Sequence, residues 1–335
     1  MYNIWIVQDL QGIQETIFQG QMNRKKINRV IITALSCFMI PFFIAGCNNN
    51  EKKGPVDTMA TGTIHISVDE SFKPVMEEQI RVFEQSFPKA HIIADYKTEA
   101  DCFKDFFNDT SNRMVIVTRG LRYDEDAYSL DSLKYYPHWD NIANDAITII
   151  VNSKSNDTIF TLGRLRDQLA GKINRNQKIV FDGLNATSTV RFVMDSILKG
   201  KQFDTSVVQA VKGSQQVIDY VAKTENAVGF VGISWIGNPE DSAQVKMLNN
   251  VKIAYVACEV CDEKPFVKPM QASISTRRYP LVRGLYYILK ENFNGLGTGF
   301  VNFLNQERGQ LIFRRAYLGT RMDFGVRRVK INQKL

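Results

Sequence analysis

From Gly62 the chain alternates: Thr63-Ile64-His65-Ile66-Ser67-Val68 places apolar side chains at every second position, as a half-buried strand does. This run leads into Asp69-Glu70-Ser71. Met76, Ile80, Phe83 and Phe87 then recur at helical spacing up to Pro88, which predicts an amphipathic helix that ends near the proline. A strand at His91–Tyr96, a helix at about Asp101–Phe107 and an apolar strand at Met114–Val117 follow. The order β-α-β-α-β predicts a sheet with helices on its faces.

Asp145–Val151 is a near-continuous β-branched run, the pattern of a strand buried on both faces. After it the alternation restarts with a helix at Leu162–Leu169, a strand at Lys178–Phe181, a helix behind Thr187-Ser188-Thr189, a helix near Gln215–Ala222 and a strand at Ala227–Val231. Val251–Ala257 reads as one strand. Pro280–Asn292 reads as a helix with Leu281, Leu285, Ile288 and Leu289 inward, and Gly299–Phe313 as another, both packing back on the first unit. The expected class is α/β with two lobes, residues 62–151 plus 250–335 and residues 152–249, around a hinged cleft. The hinge crossings fall near Val151–Lys154 and Asn249–Lys252.

The N-terminal region follows another pattern. Arg24, Lys25, Lys26 and Arg29 precede an uncharged run, Val30 to Ile44, that ends in Ile44-Ala45-Gly46-Cys47. A basic start, an apolar stretch and small residues before a cut site make a secretory signal. With the cysteine directly after Ala-Gly it resembles a bacterial lipoprotein lipobox, which implies a signal peptide over residues 22–46 and a lipid on Cys47. Residues 1–21 fit no signal pattern and read as an upstream extension; residues 47–61 are polar and punctuated by Gly and Pro, as a tether is. The implied location is the cell envelope, lipid-anchored on the periplasmic or extracellular face.

Composition is globular, with 44% hydrophobic and 23% charged positions, which excludes a disordered or fibrous chain. Residues 1–46 hold four basic and two acidic side chains, so their removal leaves +5 of the net +7. Arg308, Arg314, Arg315, Arg321, Arg327, Arg328, Lys330 and Lys334 concentrate that excess near the C-terminus, but no nucleic-acid recognition motif accompanies them. A solvated face is expected there, and no nucleic-acid partner.

Ligands of open α/β sheets bind beyond the carboxyl ends of the strands. The turns Asp69–Phe72, Thr98–Cys102 and Thr118–Leu121 are therefore candidates. Thr187, Ser188 and Thr189 in front of an apolar helix pattern have two readings: hydroxyl caps for the first turn, or hydroxyls and free N–H groups facing a bound oxyanion.

Six stretches in order, ISVDESFKP, NDAITIIVNSKS, NATSTVRFVMD, NAVGFVGISWI, RRYPLVRGLYYILKE and GTGFVNFLNQERGQLIFRRAYL, resemble the phosphate-binding proteins of Pst-type ABC importers, which are type II periplasmic binding proteins. The likeness spans about Gly62 to Leu318. It implies that Thr187, Ser188 and Thr189 hold the oxyanion from one lobe, and that Ser71 and Phe72 face it from the other. Arg191 is a candidate for the arginine that often completes the family's site, unless it points to solvent.

Where the family has a Ser-Asp pair whose carboxylate takes the ligand's proton and so rejects sulfate, this chain has Thr118 and Arg119. The carboxylate role then moves to Glu99, Asp101, Asp69 or Glu70. Arg119 either contacts the anion with its fixed fork of donors or pairs with Glu99 or Asp101.

The expected function is capture of phosphate or a similar small oxyanion for an ABC permease, by a monomer without cofactor or catalysis. The alternatives are a lipoprotein of the same fold that acts as a sensor or interaction module, and a binder of organic phosphate or carboxylate. His65, His91 and His138 stand in no metal-ligand spacing, and Cys258-Glu259-Val260-Cys261 reads as a local disulfide or as free thiols rather than a metal site.

Overall fold

The computed structural model describes residues 57–324 except 133, 135, 174 and 175. The signal segment, Cys47, the start of the tether, Arg327, Arg328, Lys330 and Lys334 lie outside the described residues.

The first unit runs β1 (Thr61–Asp69), α1 (Lys73–Ser86), β2 (Lys89–Lys97), α2 (Glu99–Asn108), β3 (Asn112–Val117), α3 (Tyr123–Asp131) and β4 (His138–Asn152). The second has β5 (Ile159–Phe160), α4 (Leu162–Leu169), β6 (Lys178–Phe181), α5 (Ser188–Ser196), β7 (Val208–Ala210), α6 (Gly213–Lys223) and β8 (Ala227–Gly232). The chain continues through α7 (Ser242–Met247), β9 (Val251–Ile253), β10 (Tyr255–Ala257), β11 (Phe266–Val267) and α8 (Gln271–Ser275). It then forms β12 (Val282–Leu289), α9 (Leu296–Asn305), α10 (Glu307–Arg315) and β13 (Gly319–Thr320).

The main sheet has the order β2-β1-β3-β12-β4-β8-β6-β7. β1, β2 and β3 are parallel, as are β6, β7 and β8, so within each group the carboxyl ends open on one edge. β4 spans both groups. Residues His138 to Ala146 pair with β12, and Ile147 to Val151 pair with β8. Ile142, Ala143, Ala146, Ile147, Ile149, Ile150 and Val151 are all fully buried, which explains why this segment reads as an unbroken apolar run.

Three expectations change. Pro280–Asn292 is not a helix: its centre is β12, antiparallel to both β3 and β4. Leu281, Leu285, Ile288 and Leu289 fit a helical period by coincidence, because a strand covered on both faces has no period of its own to display. Val251–Ala257 divides at Ala254, with β9 on β4 and β10 in a small sheet with β5 and β11. Gly299–Phe313 breaks at Gln306, whose extended backbone ends α9 and caps α10. These two helices do pack on the first unit: Phe83 of α1 meets Phe300 and Phe303 with ring centroids 5.1 and 5.4 Å apart. Gln79 Nε2 donates to the Gly309 carbonyl at 2.8 Å.

Candidate functional site

The carboxyl end of β1 leads into a 3-10 turn, Glu70–Phe72, that begins on Asp69. The Asp69 carboxylate accepts from the Ser71 N–H at 2.9 Å and from Ser71 Oγ at 2.8 Å, so the hydroxyl is aimed by its own turn. Opposite, β6 leads to α5, whose N-cap is Thr187. Thr187 Oγ1 accepts from the Val190 N–H at 3.3 Å and donates to Asp182 Oδ1 at 2.7 Å, which settles the capping role on Thr187 alone. Ser188 and Thr189, the next two residues, lie in the first turn of α5, where helix geometry gives N–H groups no carbonyl partner. Ser188 Oγ stands 3.4 Å from Ser71 Oγ. Thr189 Oγ1 is buried near Asp182 without a well-formed hydrogen bond.

Arg283 of β12 joins the two sides. Its Nη2 donates to Ser71 Oγ at 2.9 Å, its Nη1 to Ser188 Oγ at 2.8 Å, and its Nε to Asp145 Oδ2 at 2.8 Å. Asp145 is its register partner across the β12–β4 ladder. The guanidinium lies over the Phe72 ring, 5.1 Å from the centroid. Arg283 is 3% exposed and Asp145 is fully buried, so the pair is dry. Burial pushes the Asp145 carboxyl up from its ordinary value, and Arg283 opposes the shift. Asp69 is pushed up to about 6 by burial and by the nearby Glu99 charge, again against Arg283. Burial also pushes Asp182 up to about 6, against the Thr187 hydrogen bond. Asp69 Oδ2 is buried without a well-formed hydrogen bond, with the Ser188 hydroxyl nearby.

Two further contacts tie the turns of one strand group to the helices of the other. Arg191 donates from Nε to Glu99 Oε2 at 2.7 Å and from Nη2 to Thr118 Oγ1 at 2.6 Å. The Thr118 hydroxyl and N–H both donate to Glu99 Oε1. Burial alone would raise Glu99, but Arg191 and Thr118 outweigh it and hold the carboxyl below its ordinary value. The Glu70 carboxylate accepts from Ser214 at the start of α6, from N–H at 3.0 Å and from Oγ at 2.9 Å. Burial raises the Glu70 carboxyl, against these hydrogen bonds.

Of the residues selected from sequence, Ser71, Phe72 and Ser188 therefore meet at Arg283, Thr187 caps the helix behind them, and Thr189 is buried in the same first turn beside Asp182. Glu99 and Thr118 lie in the Arg191 network. Asp101 is exposed and accepts from the Thr98 hydroxyl at 2.8 Å, a capping arrangement outside both clusters. Arg119 pairs with neither Glu99 nor Asp101: its fork grips Glu125 at 2.6 and 2.8 Å, and it lies 3.8 Å over the Phe103 ring. Arg283, Asp145 and Asp182 are not among the site residues selected from sequence. A lone arginine in the apolar run Leu281-Val282-Arg283-Gly284-Leu285 was the available signal, hidden by the helical assignment.

Cys258 and Cys261 are joined by a disulfide. Among the described residues no group of three or more His, Cys, Asp or Glu could hold a metal ion, and no helix is long and apolar enough to cross a membrane.

A family model described as a PBP superfamily domain matches residues 55–308. A putative phosphate ABC transporter substrate-binding protein from Clostridium perfringens, solved with bound phosphate, superposes with a TM-score of 0.62 at 20% identity. The match covers 77% of this chain and 99% of that one. An ABC-type phosphate transport receptor from Vibrio cholerae gives 0.56 at 18% identity over 77% of this chain and 99% of that one. A possible phosphate-binding protein from Planctomyces limnophilus gives 0.52 at 18% over 78% and 93%. A comparison with curated protein sequences finds no significant match.

Proposed function

We propose that this chain, which belongs to the PBP superfamily, captures a small oxyanion, phosphate first, between its two lobes and passes it to an ABC permease. The observation that carries this reading is the Arg283 guanidinium hydrogen-bonded at once to Ser71 and Ser188, hydroxyls presented by the two strand groups. A dry cation, the Ser188 hydroxyl and the N–H groups at the start of α5 form a donor-rich cradle for an oxyanion, with the Ser71 hydroxyl already donating to Asp69. Four or five charge-assisted bonds of about 1.5–3 kcal/mol each, less several for association, suffice for micromolar capture, about −8 kcal/mol.

Asp69 supplies the carboxylate that the turn after β3 lacks. Its buried Oδ2 accepts a proton-bearing ligand oxygen and finds no donor on sulfate. No bond is made or broken, so the role is binding and not catalysis. In this reading the chain is exported and held by lipid on Cys47, on the periplasmic or extracellular face, as a monomer.

A second reading is favoured by the contacts Glu99–Arg191 and Glu70–Ser214, which bind the two strand groups through protein atoms alone. It makes the chain a lipoprotein sensor or interaction module of the same fold. Thermal unfolding separates the two. Phosphate at 100 times its dissociation constant adds about 2.7 kcal/mol of stability and sulfate none; no shift with phosphate supports the second reading.

Arg119→Ala changes phosphate affinity by less than about threefold, because Arg119 is spent on Glu125 and Phe103. A loss as large as that from removing Arg283 would place Arg119 in the cradle and favour an organic phosphate or carboxylate.

A further inference from the structure

A cavity of about 730 Å³ that shares no lining residue with the cradle is walled by the start of α4, the end of α5, the disulfide loop and the segment entering β12. Arg166, Lys199 and Arg277 line it, against a single acid, Glu259. Among the described residues Arg81, Arg113, Arg119, Arg164, Arg191 and Arg283 each have a carboxylate partner, while other cations such as Arg278, Arg308 and Arg314 have none. Among the described residues Arg166, Lys199 and Arg277 have none. Arg166 Nε caps the last turn of α5 by donating to the Ile197 carbonyl at 2.7 Å, which leaves both Nη groups for the cavity. Lys199 and Arg277 have φ of 58° and 55°, the left-handed backbone that normally draws glycine or asparagine behind a helix. Three like charges around one space repel each other unless an anion joins them.

Leu162, Pro280 and Val282 give the same cavity an apolar wall, and the size is that of a small-molecule site rather than of one inorganic oxyanion. We infer that this cavity binds a small organic anion with an apolar body, its acid group among Arg166, Lys199 and Arg277. The site is separate from the oxyanion cradle and does not depend on that reading.

The test is a fluorescence titration with 1-anilinonaphthalene-8-sulfonate, an apolar body bearing one sulfonate. Saturable binding to one site is expected, and Lys199→Gln with Arg277→Gln weakens it by about tenfold, since two of three charge contacts are lost. Both side chains are exposed, so the doubly substituted protein unfolds at the wild-type temperature; Arg166→Gln, made separately, weakens the probe as well. Saturating inorganic phosphate leaves the probe bound. Unchanged probe affinity in these variants, or displacement of the probe by phosphate, overturns the proposal.

Discussion

Arg283→Met abolishes measurable phosphate binding and lowers folding stability by about 3–5 kcal/mol. The stability loss comes from Asp145. With the guanidinium gone, a fully buried carboxylate keeps no counter-charge, and the Ser71 and Ser188 hydroxyls lose the donor that joins them. Breaking a buried pair on one side costs far more than replacing both partners with apolar groups. Asp145→Leu combined with Arg283→Met therefore recovers most of the stability in urea unfolding while phosphate binding stays absent. Binding that survives in either variant would show that the cradle holds its anion without Arg283.

Asp182→Asn makes the protein more stable at pH 7, by up to about 3 kcal/mol, and by almost nothing at pH 3.5. The Asp182 carboxyl titrates near 6 in the folded chain, against 3.8 for an ordinary aspartate. A raised carboxyl holds its proton more tightly folded than unfolded. Its favourable contribution is thus complete below the unfolded value and fades as pH rises through about 6, where burying the charged form costs stability. Asparagine keeps an oxygen for the Thr187 hydroxyl and carries no charge, so it escapes that cost. Asp69, also near 6, slopes the same way; Glu99, held low by Arg191 and Thr118, slopes the other way and loses its contribution as pH falls below the ordinary glutamate value. Urea unfolding of both proteins from pH 3.5 to 7.5 isolates Asp182 in the difference. A difference that does not change with pH would contradict the buried ionisation.

The strand and helix periods were plain where one face is solvated. Thr63 to Ile66 and the Met76, Ile80, Phe83 series announce β1 and α1 because water on one side, at Thr63 and His65 in the strand, imposes a polar alternate. In β12 the consecutive residues Val282 and Arg283, and again Ile288 and Leu289, are buried, so both faces are covered there, no such alternate exists, and four leucines and isoleucines imitate a helix. That one error concealed Arg283, whose partner Asp145 stands beside it in register and 138 positions away in sequence. Half of the cradle was legible for the opposite reason. Ser71, Thr187, Ser188 and Thr189 follow strand ends locally, and turn and cap chemistry is local. Arg119 misled because charge and position suit an anion equally well whether or not Glu125, six residues on, already occupies the fork.

The central claim is that a buried cradle around Arg283 takes phosphate and refuses sulfate. Isothermal titration calorimetry of residues 48–335 tests it most directly, with phosphate at pH 8, where Asp69 is ionised, and sulfate as control at the same pH. Saturable, micromolar binding of phosphate with no heat from sulfate is the predicted result. A folded protein that gives no heat with phosphate, or binds sulfate equally well, would contradict the account.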